Sequence, residues 1–378
     1  MAGLSRSQPF SAGELALEAI DLAIADAGLR HEEVDGLLIS RSPVAIDRGV
    51  DLRLRQACGI PDLKLLQFID GEGTGALQMV QTAAGAVSMG LARHVVCVFA
   101  DAPLRGGRRG SEAFGTVKST TGIDGLRYSS GLFGAPALYG LAVRRHMALY
   151  GTTVEELGAV AVTGRRWAML NPRAVYRTPL SLDDYLASRL VADPIRLYDC
   201  ATPVDGGIAV VVSTADACSD LAQPPVHVLG MGQGHPRRPR QRPYENEVST
   251  GAHEAKRTAF SMAGITSDDI DMVQCYDAFT YMTLLALEDY GFCQKGEAGA
   301  MVAAGHTAPG GRLPTNTGGG HLSGYYLQGM TPLSEAIVQI RGQAGERQCP
   351  RHEVALVTNE GGFFDYHACL VLGAQSHA

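Results

Sequence analysis

Apolar residues recur at helical spacing from Glu14 to Asp26 and stop at Ala27-Gly28-Leu29, after which the apolar run Gly36-Leu37-Leu38-Ile39 reads as a short buried strand. The same order returns far downstream: Ala263-Gly264-Ile265, four residues, Ile270-Asp271, then Met272-Val273. In both places a glycine stops a helix just ahead of a buried strand, which points to internal duplication. Each half continues alike. Gly71-Glu72-Gly73-Thr74-Gly75 precedes an apolar helix from Ala76 to Met89 and a strand from Val95 to Phe99. Gly318-Gly319-Gly320 precedes a helix from Leu327 to Ile340 and a strand from Val354 to Thr358. Ile208 to Val212 and Cys369 to Leu372 are matching candidates for closing strands. Strands alternating with helices predict an α/β protein with mostly parallel sheets covered by helices. Two such βαβ-type halves would pack into five layers, α-β-α-β-α.

With 378 residues the chain exceeds the roughly 250 to 300 at which single cores stop growing, so two coupled halves are expected, 1–220 and 221–378. The first carries an inserted region of about 101–195. It begins rich in Gly, Arg and Ser between Asp101 and Pro136, and continues as helical patterns around Leu138 to Tyr150 and Val154 to Ala161. An insertion of that length is usually functional or interfacial.

Composition narrows the class further. Apolar residues at 46% and 46 dispersed glycines exclude a disordered or fibrous chain and fit many tight strand-to-helix turns. A net charge of -7 over this surface gives no pull toward nucleic acid or an anionic membrane. Eight cysteines without a C-x-x-C pair argue against zinc and disulfide frameworks. The first residues lack a secretory signal, and no apolar run of about 18 residues could span a membrane, so a cytoplasmic protein is expected.

Two segments carry the chemistry: Gln274-Cys275-Tyr276-Asp277-Ala278-Phe279-Thr280, at the end of an apolar run, and Asn316-Thr317-Gly318-Gly319-Gly320-His321-Leu322-Ser323-Gly324-Tyr325-Tyr326, a glycine-rich turn opening a helix. With Tyr198-Asp199-Cys200-Ala201-Thr202-Pro203-Val204-Asp205-Gly206-Gly207, Gly151-Thr152-Thr153, Leu157 to Ala161, Asn171-Pro172 and the duplicated halves, they resemble the thiolase superfamily over nearly the whole chain. The branch most similar is that of sterol-carrier-protein thiolases and lipid-transfer-protein relatives, whose amino-terminal strand is shortened here.

The resemblance breaks at the catalytic positions. A thiolase needs a cysteine at the amino end of its first buried helix, where the helix dipole favours the thiolate. Glu72 stands there, or Gly73 if the register slips by one. Tyr276 and Tyr326 replace the Asn or His and the Gly-His-Pro histidine of the second half, and Asn359, before Glu360-Gly361-Gly362, replaces the second cysteine. An acyl-cysteine Claisen condensation is therefore excluded.

This pattern resembles the thiolase-fold aldolases that shorten steroid side chains. The resemblance implies retro-aldol cleavage of a bulky β-hydroxyacyl-CoA to a ketone and a short acyl-CoA such as propionyl-CoA. Tyr276 and Tyr326 would be the acid and base, in either order. A phenol, with a usual pKa near 10, is a poor neutral-pH base but a good hydrogen-bond acid for an enolate. Donors near Gly319, Gly320, His321 and Gly361 would stabilise the oxyanion, each worth about 3 to 4 kcal/mol.

His321 reads either as an oxyanion donor or as a structural cap, and Glu72 either as a filler of the vacated nucleophile pocket or as an orienting carboxylate. Asn359 lines the pocket without a derivable role. Asp277 reads as an N-cap following its strand, Asp205-Gly206-Gly207 as a turn, and Tyr325 and Tyr366 as core tyrosines. The resemblance also implies a homodimer and a small OB-fold partner of the DUF35 type. Coenzyme A would enter only as part of substrate and product, with no resident cofactor or metal. The prolines and arginines of 236–242 read as a solvated loop or as a contact for its phosphates. Competing readings are a noncatalytic lipid-binding or scaffold subunit of an acyltransferase complex, and a carbon-carbon hydrolase or acyltransferase acting on a polyketide.

Overall fold

The computed structural model describes residues 1–40, 42, 50–114, 121–236 and 248–376, so most of the basic loop 236–242 lies outside the described residues. Its first sheet contains β1 (Ala2–Ser5), β2 (Gly36–Ser40), β3 (Leu65–Ile69) and β4 (His94–Asp101), with α1 (Ala12–Ala27) and α2 (Gly75–Ser88) between them. The inserted region follows as α3 (Gly110–Phe114), α4 (Gly122–Ser129), α5 (Gly134–Tyr150), α6 (Val154–Met169), α7 (Leu182–Ala187) and the small hairpin β5 (Leu190–Ala192) and β6 (Ile195–Arg196). β7 (Asp205–Ser213) then returns to the first sheet. The second sheet comprises β8 (His227–Gly234), β9 (Met272–Cys275), β10 (Val354–Gly361) and β11 (Tyr366–Gly373), accompanied by α8 (Ala252–Ala263), α9 (Thr280–Asp289), α10 (Ala298–Ala303) and α11 (Met330–Ile340).

Local chemistry sets the helix limits. Ser11 and Glu14 form a capping box on α1, Thr153 and Glu156 form one on α6, and Gly28 and Gly264 close α1 and α8 in the left-handed conformation. The sheets are continuous apolar runs because both faces are covered. Along β4, Val96, Val98 and Ala100 meet α1, while Val95, Cys97 and Phe99 face the space between the sheets. There α2 and α11 pack side by side, touching β4 and β10 respectively. Cys369 and Val371 of β11 face the opposite way, toward α8 and α9, whereas Ala368, Leu370 and Leu372 face inward. The order is thus α1, first sheet, α2 with α11, second sheet, α8 with α9: the five-layered α/β arrangement expected.

The sheets are mixed rather than mostly parallel. Their orders are β1-β7-β4-β2-β3 and β8-β11-β10-β9, with parallel pairing at β2–β3, β2–β4 and β9–β10 and antiparallel pairing elsewhere. The short link between β10 and β11 permits only an antiparallel hairpin, because a parallel return needs a crossover. β8 escapes the hydrophobic pattern. β8 is interrupted by Gly230, Gly232 and Gly234, where an added Cβ would lie 2.0 Å from the Ala259 carbonyl oxygen, 2.1 Å from that of Ala255 and 1.9 Å from that of Gly251. These glycines let α8 approach the sheet, at the cost of the strand's apolar signature. Asp205-Gly206-Gly207 opens β7 instead of forming a turn, with Asp205 Oδ1 accepting the Leu104 N–H at 2.8 Å.

Candidate active site

Tyr276 follows β9, and its N–H donates to the Thr358 carbonyl of β10 at 2.9 Å. Asn316, at φ +50°, accepts the Cys275 N–H at 2.7 Å and so fixes the strand end. Tyr326 does not open a helix. A one-turn π-helix, Gly320–Gly324, is followed by an extended Tyr325, and α11 starts only at Met330. The Tyr326 N–H donates to the Thr202 carbonyl at 3.0 Å, and Thr202 in turn donates to the His321 carbonyl at 2.7 Å. One residue earlier, the Ala201 N–H donates to Ala278 at 2.9 Å. The segment before β7 is therefore a clamp between the two tyrosine segments, a role the sequence reading assigns to none of its residues.

The clamp brings the two phenols together, with their oxygens 2.7 Å apart and their rings at 81°. Phe114 of α3 meets Tyr326 edge-on at 5.8 Å, and Tyr139 of α5 stacks on Phe279 at 4.5 Å. The inserted region thus supplies aromatic walls. Burial, first of all, pushes both phenols up: Tyr326 to about 12, with Asp101 and Glu72 adding to the rise, and Tyr276 well above its ordinary value, with its Tyr326 partner adding to the rise. Both are neutral at physiological pH. Asp101, at the end of β4, is itself pushed up to about 6 by burial.

His321 is fully buried, 4.7 Å from the Tyr276 ring and 5.0 Å from that of Tyr326. Its Nδ1 accepts the Asp277 N–H at 3.1 Å, so Nε2 carries the proton and donates to the Gln328 carbonyl at 2.7 Å. Neither nitrogen is left for a substrate oxygen, which places the ring as a brace. Asp277 caps no helix of its own strand; its Oδ1 accepts the His321 N–H at 2.7 Å and so caps the π-turn. Two further backbone donors are also engaged. Gly319 N–H donates to Asn316 at 2.9 Å, and Gly362 N–H donates to Glu72 Oε2 at 2.7 Å. Gly320 serves by its missing side chain, since a Cβ there would lie 2.1 Å from Asp277 Oδ2.

At the opposing turn Glu72 is exposed, at φ +47°, and faces Gly362 rather than filling a pocket beside the tyrosines. Gly73 takes that inner place. A Cβ on Gly73 would meet Tyr276 Cζ at 2.9 Å and the Glu360 carbonyl at 1.9 Å, while one on Gly361 would lie 2.8 Å from the Gly73 nitrogen. Asn359 is fully buried in β10, directly after the residue that pairs with Cys275, and neither atom of its amide has a partner among the described residues. Tyr325 lies in the core, with its hydroxyl 3.6 Å from Met1 Sδ, whereas Tyr366 is 41% exposed and is no core residue.

The family described as Thiolase C-terminal domain-like matches residues 238–374. A 17-hydroxy-3-oxo-4-pregnene-20-carboxyl-CoA lyase from Mycobacterium tuberculosis is 37% identical over 87% of this chain and 86% of its own. A steroid side-chain-cleaving aldolase from Thermomonospora curvata is 37% identical over 87% and 85%. The chain belongs to the thiolase superfamily, on its aldolase branch. The solved Ltp2-ChsH2(DUF35) aldolase superposes with a TM-score of 0.87 at 34% identity, covering 99% of this chain and 96% of that one.

Within this superfamily the strained backbone is informative. Among the described non-glycine residues with positive φ, Glu72 accepts the Gly362 N–H, Asn316 holds the end of β9, Gln328 accepts from His321, and Phe363 and Phe364 pack on Tyr139. Each such residue costs of order 1 to 3 kcal/mol and persists only where surrounding contacts hold it, commonly at functional sites.

Proposed function

We propose that this chain is a carbon-carbon lyase that cleaves a β-hydroxyacyl-CoA with a steroid-type acyl part into a ketone and a short acyl-CoA such as propionyl-CoA. The observation that carries this reading is the 2.7 Å contact between the Tyr276 and Tyr326 hydroxyls. In a retro-aldol step one phenol takes the proton of the β-hydroxyl, the Cα–Cβ bond breaks, and its electron pair moves onto the thioester oxygen. The second phenol gives a proton to Cα. A direct hydrogen bond between the two lets the proton gained by one replace the proton lost by the other, so the pair ends as it began. This suits two neutral phenols, neither of which must rest as a phenolate.

Coenzyme A belongs to substrate and product in this scheme, and the chemistry calls for no resident cofactor. A partner of the DUF35 type fits the likeness to the Ltp2-ChsH2(DUF35) aldolase, and a homodimer is part of the same proposal. A cytoplasmic setting fits the eight free cysteines. No helix among the described residues is long and apolar enough to cross a membrane.

The test is to incubate the chain, with a candidate OB-fold partner, with a steroidal 17-hydroxy-20-carboxyl-CoA and to measure the steroid ketone and the short acyl-CoA by mass spectrometry. Equimolar ketone and acyl-CoA are expected, and both should vanish in Tyr276→Phe and Tyr326→Phe. A wild type that binds the thioester and returns it intact would overturn the lyase reading in favour of a lipid-binding subunit.

A further inference from the structure

Beside its proton relay, a retro-aldol site needs a hydrogen-bond donor for the oxyanion. As the bond breaks, negative charge collects on the thioester oxygen, and a preorganised donor must meet it there. Three backbone donors of the tyrosine segment and the facing turn are engaged: Gly319 by Asn316, His321 by Asp277 and Gly362 by Glu72. The His321 ring is also fully engaged.

Asn359 is the exception. Its side chain is 0% exposed, and neither Nδ2 nor Oδ1 has a hydrogen-bond partner among the described residues. Burying an unpaired amide costs roughly 1 to 3 kcal/mol, so such a group is rare unless a ligand completes it. Its surroundings point to the reacting atoms. A Cβ on Gly329 would lie 1.7 Å from Asn359 Nδ2 and 2.9 Å from the Gly73 carbonyl oxygen, and a Cβ on Gly73 would lie 2.9 Å from Tyr276 Cζ. The amide and the phenol therefore flank the same glycine, from β10 and from the residue after β9. Glycine at 329 lets the Asn359 amide lie against the backbone, as glycine at 73 does for the Glu360 carbonyl and the Tyr276 ring. The Gln328 side-chain oxygen is also buried without a donor among the described residues.

We infer that Asn359, standing where a thiolase carries its second cysteine, donates its Nδ2–H to the thioester oxygen of the bound acyl-CoA and stabilises the enolate left when the Cα–Cβ bond breaks. The inference rests on the lyase reading. It gives the site a division of labour: Tyr276 and Tyr326 move the proton, and Asn359 holds the charge. Because the amide is uncharged and held in β10, it meets the developing oxyanion without reorganising.

Enolate stabilisation can be read apart from steroid cleavage, because an enzyme that stabilises the enolate of the short product also exchanges that product's α-protons with solvent. The experiment measures steroid ketone release and the wash-in of deuterium from D2O into propionyl-CoA, for wild type, Asn359→Asp and Asn359→Ala, with a candidate OB-fold partner and with melting temperatures. Asn359→Asp keeps the shape and removes the NH2 donor. The expected result is a fall of about a hundredfold to a thousandfold in kcat and in the exchange rate for both variants, with KM changed less than tenfold and melting retained. Either variant cleaving and exchanging within about threefold of wild type overturns the inference. Loss of folding in both marks a structural amide and overturns it too. A wild type that exchanges but releases no ketone sinks the lyase reading alone, leaving the exchange rates of the variants to decide Asn359. A wild type that does neither sinks both.

Discussion

The hydroxyl of Tyr276 meets that of Tyr326, fifty positions further along the chain, at 2.7 Å, and neither phenol reaches the other through its own element. Thr202 and Ala201, from the segment before β7, hold the two segments in register. If the pair works as one relay, its members are not additive. Each Tyr→Phe change should lower kcat by about a hundredfold to ten-thousandfold, and the double variant should be no slower than the slower single. Steady-state kinetics check this; a double variant slower by the product of the two losses would mean independent roles.

Glu72 has a different forecast. It is exposed, lies in the left-handed region and accepts the Gly362 N–H. Glu72→Gly relieves about 1 kcal/mol of backbone strain and gives up a hydrogen bond worth about the same, so stability should stay within about 1 kcal/mol. Ketone release should stay within tenfold of wild type. A hundredfold loss with unchanged melting would instead place this carboxylate in the proton path.

His321 braces both tyrosine segments, binding Asp277 through one nitrogen and Gln328 through the other. Removing the ring leaves a cavity and unpaired buried groups, so His321→Ala should cost about 3 kcal/mol or more in urea unfolding, with activity falling alongside. Full stability with abolished turnover would show that the ring acts on substrate.

His367 reports on pH. Burial, first of all, pushes its pKa down to about 3, and its Nε2 lies 2.9 Å from the Tyr290 hydroxyl and 3.0 Å from that of Thr358. A lowered folded-state pKa means that the stability it confers is present above the ordinary value near 6.5 and is lost as pH falls toward 3. Melting temperature should decline from pH 6.5 to 4, and less steeply in His367→Gln. Parallel declines in the two proteins would refute this assignment.

The limits of α1 were legible because the chain carries its own signals there: Ser11 with Glu14 at one end and Gly28 at the other. The duplication, the glycine-shaped turns and the replacement of cysteine and histidine by Glu72, Tyr276, Tyr326 and Asn359 could likewise be read along the chain. The duplication and the turns rest on residue type at fixed spacing, and the replacements on the resemblance to thiolases; none needs knowledge of what lies opposite. β8 could not be read, because its glycines answer to the backbone of α8. Nor could the antiparallel closure of the sheets, the π-turn ahead of Tyr326 or the clamp by Thr202. Only the folded chain decides that His321 has both nitrogens engaged while Asn359 has neither amide atom bonded among the described residues. Hydrogen bonding at a buried site depends on which distant segments are brought within about 3 Å, and in this protein that follows from the packing of two sheets and an inserted region around one pair of phenols.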